Sequence, residues 1–345
     1  MGRAIPLRVD SAPLDRLGRP LRDLRISVLD RCNFRCPYCM PEDRYPRDHR
    51  FLRKDDRLRF EEIERIVRAA VPLGVRKLRL TGGEPLLRRD LPVLVRMLAR
   101  IPGIEDIALT TNGSLLAQNA AALREAGLGR ITISLDALEP ETFRRMCGGR
   151  AEVGDVLAAI AAAERAGFTR MKINCVVQRG VNEDQVEPLV ERFRGTGHVV
   201  RFIEYMDVGT CNGWDASHVV SGAELRARIA ARWPLRALPP NHPGEVARRH
   251  AFADGAGEIG FIDSVTAPFC GDCSRARLSA DGRIYTCLFS GHGHDVRGAL
   301  RAGIDEPALG AMLAAIWNAR SDRHSELRGE ARSARERVEM YAIGG

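Results

Sequence analysis

Between residue 24 and about residue 233, short apolar and β-branched runs alternate with longer stretches whose apolar positions recur every three or four residues. The first kind reads as a buried strand and the second as an amphipathic helix lying on it. The pattern predicts strands at 24–29, 75–80, 104–110, 130–135, 171–177 and 199–205. Helices at 60–71, 91–100 and 153–166 fall between them. Strand, helix and next strand repeat as right-handed crossovers that build a parallel sheet. Six such units predict an α/β chain that forms a partial or full TIM-like (β/α)6 barrel, not a small open sheet.

Each predicted strand hands over to a polar or glycine-rich cluster: Thr81-Gly82-Gly83-Glu84-Pro85, Thr111-Asn112-Gly113, Ser134 with Asp136, and Glu204 to Asp207. Parallel barrels place their active sites at the C-terminal mouth, so four clusters in register predict the site there. Beyond Trp233 the periodicity gives way to Pro234, Pro239, Pro240 and Pro243. This change predicts a boundary, dividing the chain into a barrel core at 14–238 and a C-terminal region at 239–345. Helices predicted at 306–319 and 328–339 precede the final Gly344-Gly345.

Composition adds less than it first suggests. The 345 residues are 45% hydrophobic, enough to fill the cores of one large domain and a smaller region. The formal charge of +8 is carried almost wholly by arginine, with Lys54, Lys77 and Lys172 as the lysines. Such a bias weakens the charge as a sign of nucleic-acid binding, and no nucleic-acid partner is expected. Residues 1–10 hold Arg3 and Arg8 without an apolar stretch, and no run is long enough to span a bilayer. The expectation is a cytoplasmic protein without a membrane partner.

The nine cysteines change the picture more, because six fall into two tight groups. Cys32, Cys36 and Cys39 follow the first strand with C-x3-C-x2-C spacing. Four-iron clusters take up to four thiolates, so three leave one iron open to another ligand. Zinc would need a fourth donor, and His49 is the near candidate. Cys270, Cys273 and Cys287 form the second trio, with Arg275 and Arg277 between the last two. Arg275 and Arg277 share one face of an extended segment, which suits an anionic substrate. Cys147, Cys175 and Cys211 carry no assignment; Cys175 reads as a buried thiol, and His292 and His294 as loop residues.

The first trio with an aromatic before its last cysteine, and the run Gly82-Gly83-Glu84-Pro85, resemble the signature of radical S-adenosylmethionine enzymes. Arg25, the segment from Arg79 to Pro85, Thr110 to Gly113, Ser134 to Asp136, Lys172, Arg201 to Asp207, the second trio and the terminal glycines then appear in order. That collection is similar to the GTP 3′,8-cyclases, which open molybdenum cofactor biosynthesis. The resemblance implies two [4Fe–4S] clusters, held by Cys32, Cys36 and Cys39 and by Cys270, Cys273 and Cys287. It implies S-adenosylmethionine bound by Tyr38, Gly83, Ser134 and Met206, and GTP bound by Arg25, Arg79, Thr110, Lys172, Arg275, Ala276 and Arg277. Catalytic roles fall on Arg25, Arg275, Arg277, Gly344 and Gly345, the last two through a tail that enters the site. The implied partners are an electron donor such as flavodoxin or ferredoxin and the next enzyme, cyclic pyranopterin monophosphate synthase, with the chain a monomer or homodimer. Two other readings stand beside it: a radical enzyme that modifies peptides, and a basic zinc protein that binds nucleic acid.

Overall fold

The computed structural model describes residues 12–328 and 337–344. Strands β1 (Asp23–Ser27), β2 (Lys77–Thr81), β3 (Asp106–Thr111), β4 (Arg130–Ser134), β5 (Lys172–Val177) and β6 (Val199–Glu204) pair in sequence order, all parallel. They match the six predicted strands to within about two residues. Helices Phe60–Ala70, Leu91–Ala99 and Val153–Arg165 stand where the apolar spacing put them. In the first, Ile63, Ile66, Val67 and Ala70 face inward at helical spacing, and Glu62 caps the N-terminus by accepting from the Arg59 amide. Cutting the fully buried Ile66 to Ala would cost about 2–5 kcal/mol.

The sheet does not end with six strands. The remaining ones are β7 (Leu235–Ala237), β8 (Arg248–Phe252), β9 (Glu258–Ile262), β10 (Arg275–Leu278), β11 (Arg283–Tyr285) and β12 (His294–Asp295). The order is β12-β11-β10-β1-β2-β3-β4-β5-β6-β9-β8-β7. β9 adds parallel to β6 and β10 adds parallel to β1. The parallel core therefore has eight strands, extended at each edge by antiparallel pairing, and the barrel stays open. No periodic helix separates β9 from β10, so the βα rhythm that reveals the first six strands is silent about these two.

β10 fixes the geometry of the site. It runs parallel to β1 with Asp23 opposite Arg275 and Arg25 opposite Arg277. Cys273 precedes β10 whereas Cys32 follows β1, so the two cysteine trios lie at opposite ends of the sheet. The predicted helix 306–319 is present as Glu306–Asn318. Of the predicted helix 328–339, residues 329–336 lie outside the described residues; 337–339 are not helical, and a short helix, Met340–Ile343, follows. His294 pairs with Ile284 in β12 instead of lying in a loop.

Candidate active site

Two chambers open inside the barrel, with Thr110, Asn174, Ile203 and Met206 in the walls of both. The first, about 1150 Å³, occupies the C-terminal mouth and holds Cys32, Cys36 and Cys39 with Tyr38, Gly83 and Ser134. A tight turn presents the last two thiols: the Cys39 and Met40 amides both donate to the Cys36 carbonyl, at 3.0 and 2.9 Å. Buried Arg35 braces the turn by donating to the carbonyls of Tyr45, Cys32 and Phe34. Tyr38 Oη donates to Asp136 Oδ2 at 2.7 Å, and the Val176 amide donates to Oδ1. Burial nevertheless outweighs these bonds and lifts the Asp136 carboxyl to about 6.

Gly82 and Gly83 are needed for the chain's own backbone. A Cβ on Gly82 would stand 2.3 Å from the Leu29 carbonyl oxygen, and one on Gly83 would stand 2.4 Å from that of Arg31. With no side chain in the way, the Gly83 amide donates to Leu29 at 2.7 Å and the Glu84 amide to Arg31 at 2.9 Å. The end of β2 is thereby sewn to the loop that leads into Cys32. Glu84 is wholly buried, and its carboxylate takes bonds from the Leu86 and Asn112 amides and from Thr111 Oγ1. It clamps β2 to β3, and burial raises it to about 7 despite its three donors.

The second chamber, about 990 Å³, lies deeper, towards the N-terminal ends of the strands. Cys270, Cys273 and Cys287 stand in its wall with Arg25, Arg79, Arg275 and Arg277. Register aligns three of these cations: Arg277 on β10 is opposite Arg25 on β1, which is opposite Arg79 on β2. Burial first, then the surrounding guanidiniums, holds Arg25 well below its usual value and brings Arg277 to about 10. Burial and then Arg130 bring Arg79 to about 10, while its guanidinium donates to Thr110 and Thr132. A row of buried like charges is costly without an anion between them.

Arg275 reaches back to Cys273, donating through Nε at 3.4 Å and Nη2 at 3.2 Å to the sulfur. Burial alone would raise that thiol, but Arg275 and Arg320 outweigh it and bring Cys273 down to about 6. The loop is fixed from below by buried cations. Arg320 donates to the Cys273 carbonyl at 2.6 Å, Arg19 donates to that of Cys270 at 2.7 Å, and both pair with buried Asp15. These anchors have no signal in the sequence, because Arg19 and Arg320 are two among many arginines and lie far apart in the chain.

Ala276 lies between the two arginines on β10, buried, and is absent from the wall of either chamber. Lys172 starts β5 and lies in a neighbouring opening that shares Arg201 with the second chamber. Burial first, and then Arg201, Arg130 and Arg79, bring its ammonium to about 7. Arg201 and Asn174 line the second chamber and bond to one another through Arg201 Nε at 2.9 Å. The sequence points to neither as a ligand on its own, although a charged Arg inside the apolar run of β6 is the kind of residue that marks a cavity.

The C-terminal tail enters from the side. Met340 and Tyr341 line the first chamber, and Gly344 lies against Thr81 at the end of β2. Tyr341 packs edge-on to Tyr45, and the Glu339 carboxylate takes the Thr210 amide, its hydroxyl and the Cys211 thiol. Asp207, next to Met206, accepts from both Arg328 and Arg337, the residues that flank 329–336. Gly345 lies outside the described residues. Cys175 is buried, as expected, and Cys147 is buried in the wall of the first chamber.

Each trio suits an iron-sulfur group by its donor chemistry. Burial pushes Cys32 up to about 12 and raises Cys36 and Cys39 strongly, with the neighbouring thiols adding to the effect on the latter two. A cationic metal group is what stabilises three thiolates so placed. Among the described residues no three His, Cys, Asp or Glu side chains close around a single ion. His49 packs between Tyr45 and Phe51.

The Radical SAM superfamily signature matches residues 26–193, and that described as Molybdenum Cofactor Synthesis C matches residues 198–326. Among curated proteins, the GTP 3′,8-cyclase of Xanthomonas campestris pv. campestris (strain B100) is 64% identical over 338 residues, covering 98% of this chain and 99% of that protein. That of Acidothermus cellulolyticus is 56% identical, covering 91% and 88%, and that of Staphylococcus carnosus is 48% identical, covering 96% and 98%. Among solved structures, Streptococcus suis SuiB bound to S-adenosylmethionine superposes with a TM-score of 0.60 at 16% identity, covering 85% of this chain and 68% of that one. At such identity the likeness speaks for the fold. No helix among the described residues is long and apolar enough to cross a membrane.

Proposed function

This chain belongs to the GTP 3′,8-cyclase family of radical S-adenosylmethionine enzymes, and from that premise we propose how its two chambers divide the work. The enzyme converts GTP to (8S)-3′,8-cyclo-7,8-dihydroguanosine 5′-triphosphate, the first step of molybdopterin biosynthesis. The first chamber takes S-adenosylmethionine and a [4Fe–4S] cluster on Cys32, Cys36 and Cys39; the second takes GTP beside a [4Fe–4S] cluster on Cys270, Cys273 and Cys287. When bound, these groups supply a 5′-deoxyadenosyl radical that removes the ribose 3′ hydrogen, so that C3′ can join C8.

The in-register row Arg277, Arg25 and Arg79, facing the space between the two cysteine trios, carries this reading. Three forked cations that form no ion pair among the described residues would hold a triphosphate through paired hydrogen bonds. Arg275 extends the cationic wall, and Lys172 stands in the adjoining opening, which meets the chamber at Arg201. Met206, Asn174, Ile203 and Thr110 border both chambers, so a ribose bound there meets the radical source without a solvent gap. No side chain is asked to act as nucleophile. Residues 14–238 would then form the radical-generating core, with 239–345 supplying the second cluster and the tail. Flavodoxin or ferredoxin would deliver the electron, and the product would pass to cyclic pyranopterin monophosphate synthase in the cytoplasm.

The test is anaerobic incubation of iron-loaded protein with S-adenosylmethionine, dithionite and GTP carrying deuterium at the ribose 3′ position. The expected result is deuterium in 5′-deoxyadenosine together with a cyclised nucleotide. Cleavage of S-adenosylmethionine with no GTP-derived product would overturn the reading and favour a peptide substrate.

A further inference from the structure

Outside both chambers lies a third opening, a groove of about 1360 Å³ that shares no lining residue with either. Its floor is Leu29, Asp30 and Arg31, the three residues that lead directly into Cys32. One wall comes from Leu87 to Asp90, which continue the Gly82 to Pro85 run; the other comes from Leu52, Lys54, Arg57 and Phe60. The floor is tied to the first wall through the Gly83 and Glu84 amides.

Five cations, Arg31, Lys54, Arg57, Arg88 and Arg89, line this groove against two carboxylates, Asp30 and Asp90. Asp30 is buried and already accepts the Leu52 amide. Among the described residues none of the five forms an ion pair, although their neighbours Arg53 and Arg59 pair with Asp56 and Glu62. Arg31, Lys54 and Arg89 are exposed. Arg88 is held below its usual value by burial and by Arg57, as expected of cations crowded without a counter-charge. The bias of this chain towards arginine explains how many cations it has, but not why these five stay unpaired on one face.

We propose that this groove is where an acidic one-electron carrier protein docks, in the class of flavodoxins and ferredoxins, to deliver its electron to the first cluster. The inference rests on the catalytic reading above, which requires one electron from outside for each cleavage of the sulfonium of S-adenosylmethionine. That electron leaves the reduced carrier, which becomes oxidised by one electron. In the chain Cys32 directly follows Arg31 of the groove, and the groove shares no lining residue with the two chambers assigned to the substrates. Its exposed cations steer a negatively charged protein, and the effect weakens as salt screens them.

The double variant Lys54→Glu/Arg89→Glu tests this, since both side chains are exposed and belong to neither chamber. Its affinity for reduced flavodoxin, measured by calorimetry, is expected to fall about tenfold or more at low salt, and the gap to wild type to close in about 0.5 M salt. With flavodoxin as donor, 5′-deoxyadenosine formation should fall by a similar factor; with dithionite it should stay within about twofold of wild type. Unchanged flavodoxin affinity overturns the proposal. So does an equal loss with both donors, which would assign the groove to a small anion affecting catalysis. If wild type with dithionite makes no 5′-deoxyadenosine, the catalytic reading itself fails and takes the groove's role with it.

Discussion

Gly344 rests against Thr81: a Cβ on Gly344 would stand 1.9 Å from Thr81 Cγ2 and 2.9 Å from its Oγ1. Gly344 also has φ +67°, which costs any other residue about 1 kcal/mol or more. The tail tip is therefore glycine because of the protein's own strand end. Gly344→Ala should cut cyclised product about tenfold or more while leaving the melting temperature within a few degrees. Adding Thr81→Ser, which removes the nearest methyl, should restore part of the rate. A double variant no better than the single one would show that the collision is not what matters.

The contact of Gly83 with Arg31 yields a prediction about metal content. Gly83→Ala puts a Cβ 2.4 Å from a backbone carbonyl that cannot swing away, so the loop before Cys32 must move. Iron after anaerobic loading should drop from about eight to about four atoms per chain, with the second trio still loaded. Retention of the full iron count would mean that the loop has more freedom than its hydrogen bonds suggest.

Lys172 links charge to pH. Its folded pKa, about 7, lies below the unfolded value of about 10.4, so the folded protein disfavours the ammonium. Stability from this group is lowest below pH 7 and rises as pH climbs from 7 towards 10. If the triphosphate of the proposed reading reaches Lys172, it would reverse the preference, drawing a proton onto the ammonium against Arg79, Arg130 and Arg201. Calorimetry at pH 7.5 in buffers of different ionisation enthalpy should show uptake of about three quarters of a proton on GTP binding, because a group of pKa about 7 is only about one quarter protonated there. In Lys172→Met the uptake should vanish and affinity should fall about tenfold. An identical proton count in the variant would remove Lys172 from the triphosphate site.

Asp207 holds two arginines, Arg328 and Arg337, and sits beside Met206, which borders both chambers. Asp207→Asn removes the charge from this clasp, at a cost of about 1–3 kcal/mol. Amide exchange over 338–343 should quicken about tenfold, and cyclised product should fall several-fold. Unchanged exchange would show that Glu339, through Thr210 and Cys211, secures the tail without Asp207.

The six βα units, the mouth-end clusters and both cysteine trios were legible in the sequence, because each is written in residues close together in the chain. A buried strand must read as an apolar run, and a three-thiol site needs its sulfurs within a loop's reach. What the tertiary structure alone decided was the relation between distant segments. Parallel addition of β10 beside β1 sends the second trio to the far end of the sheet and brings Arg277, Arg25 and Arg79 into one row. Strand register is set by side chains packing between neighbours, which no local periodicity records. The same holds for Arg19 and Arg320 beneath the second trio and for Gly344 against Thr81. These pairs lie far apart in sequence, and only the closed packing of the fold brings them together.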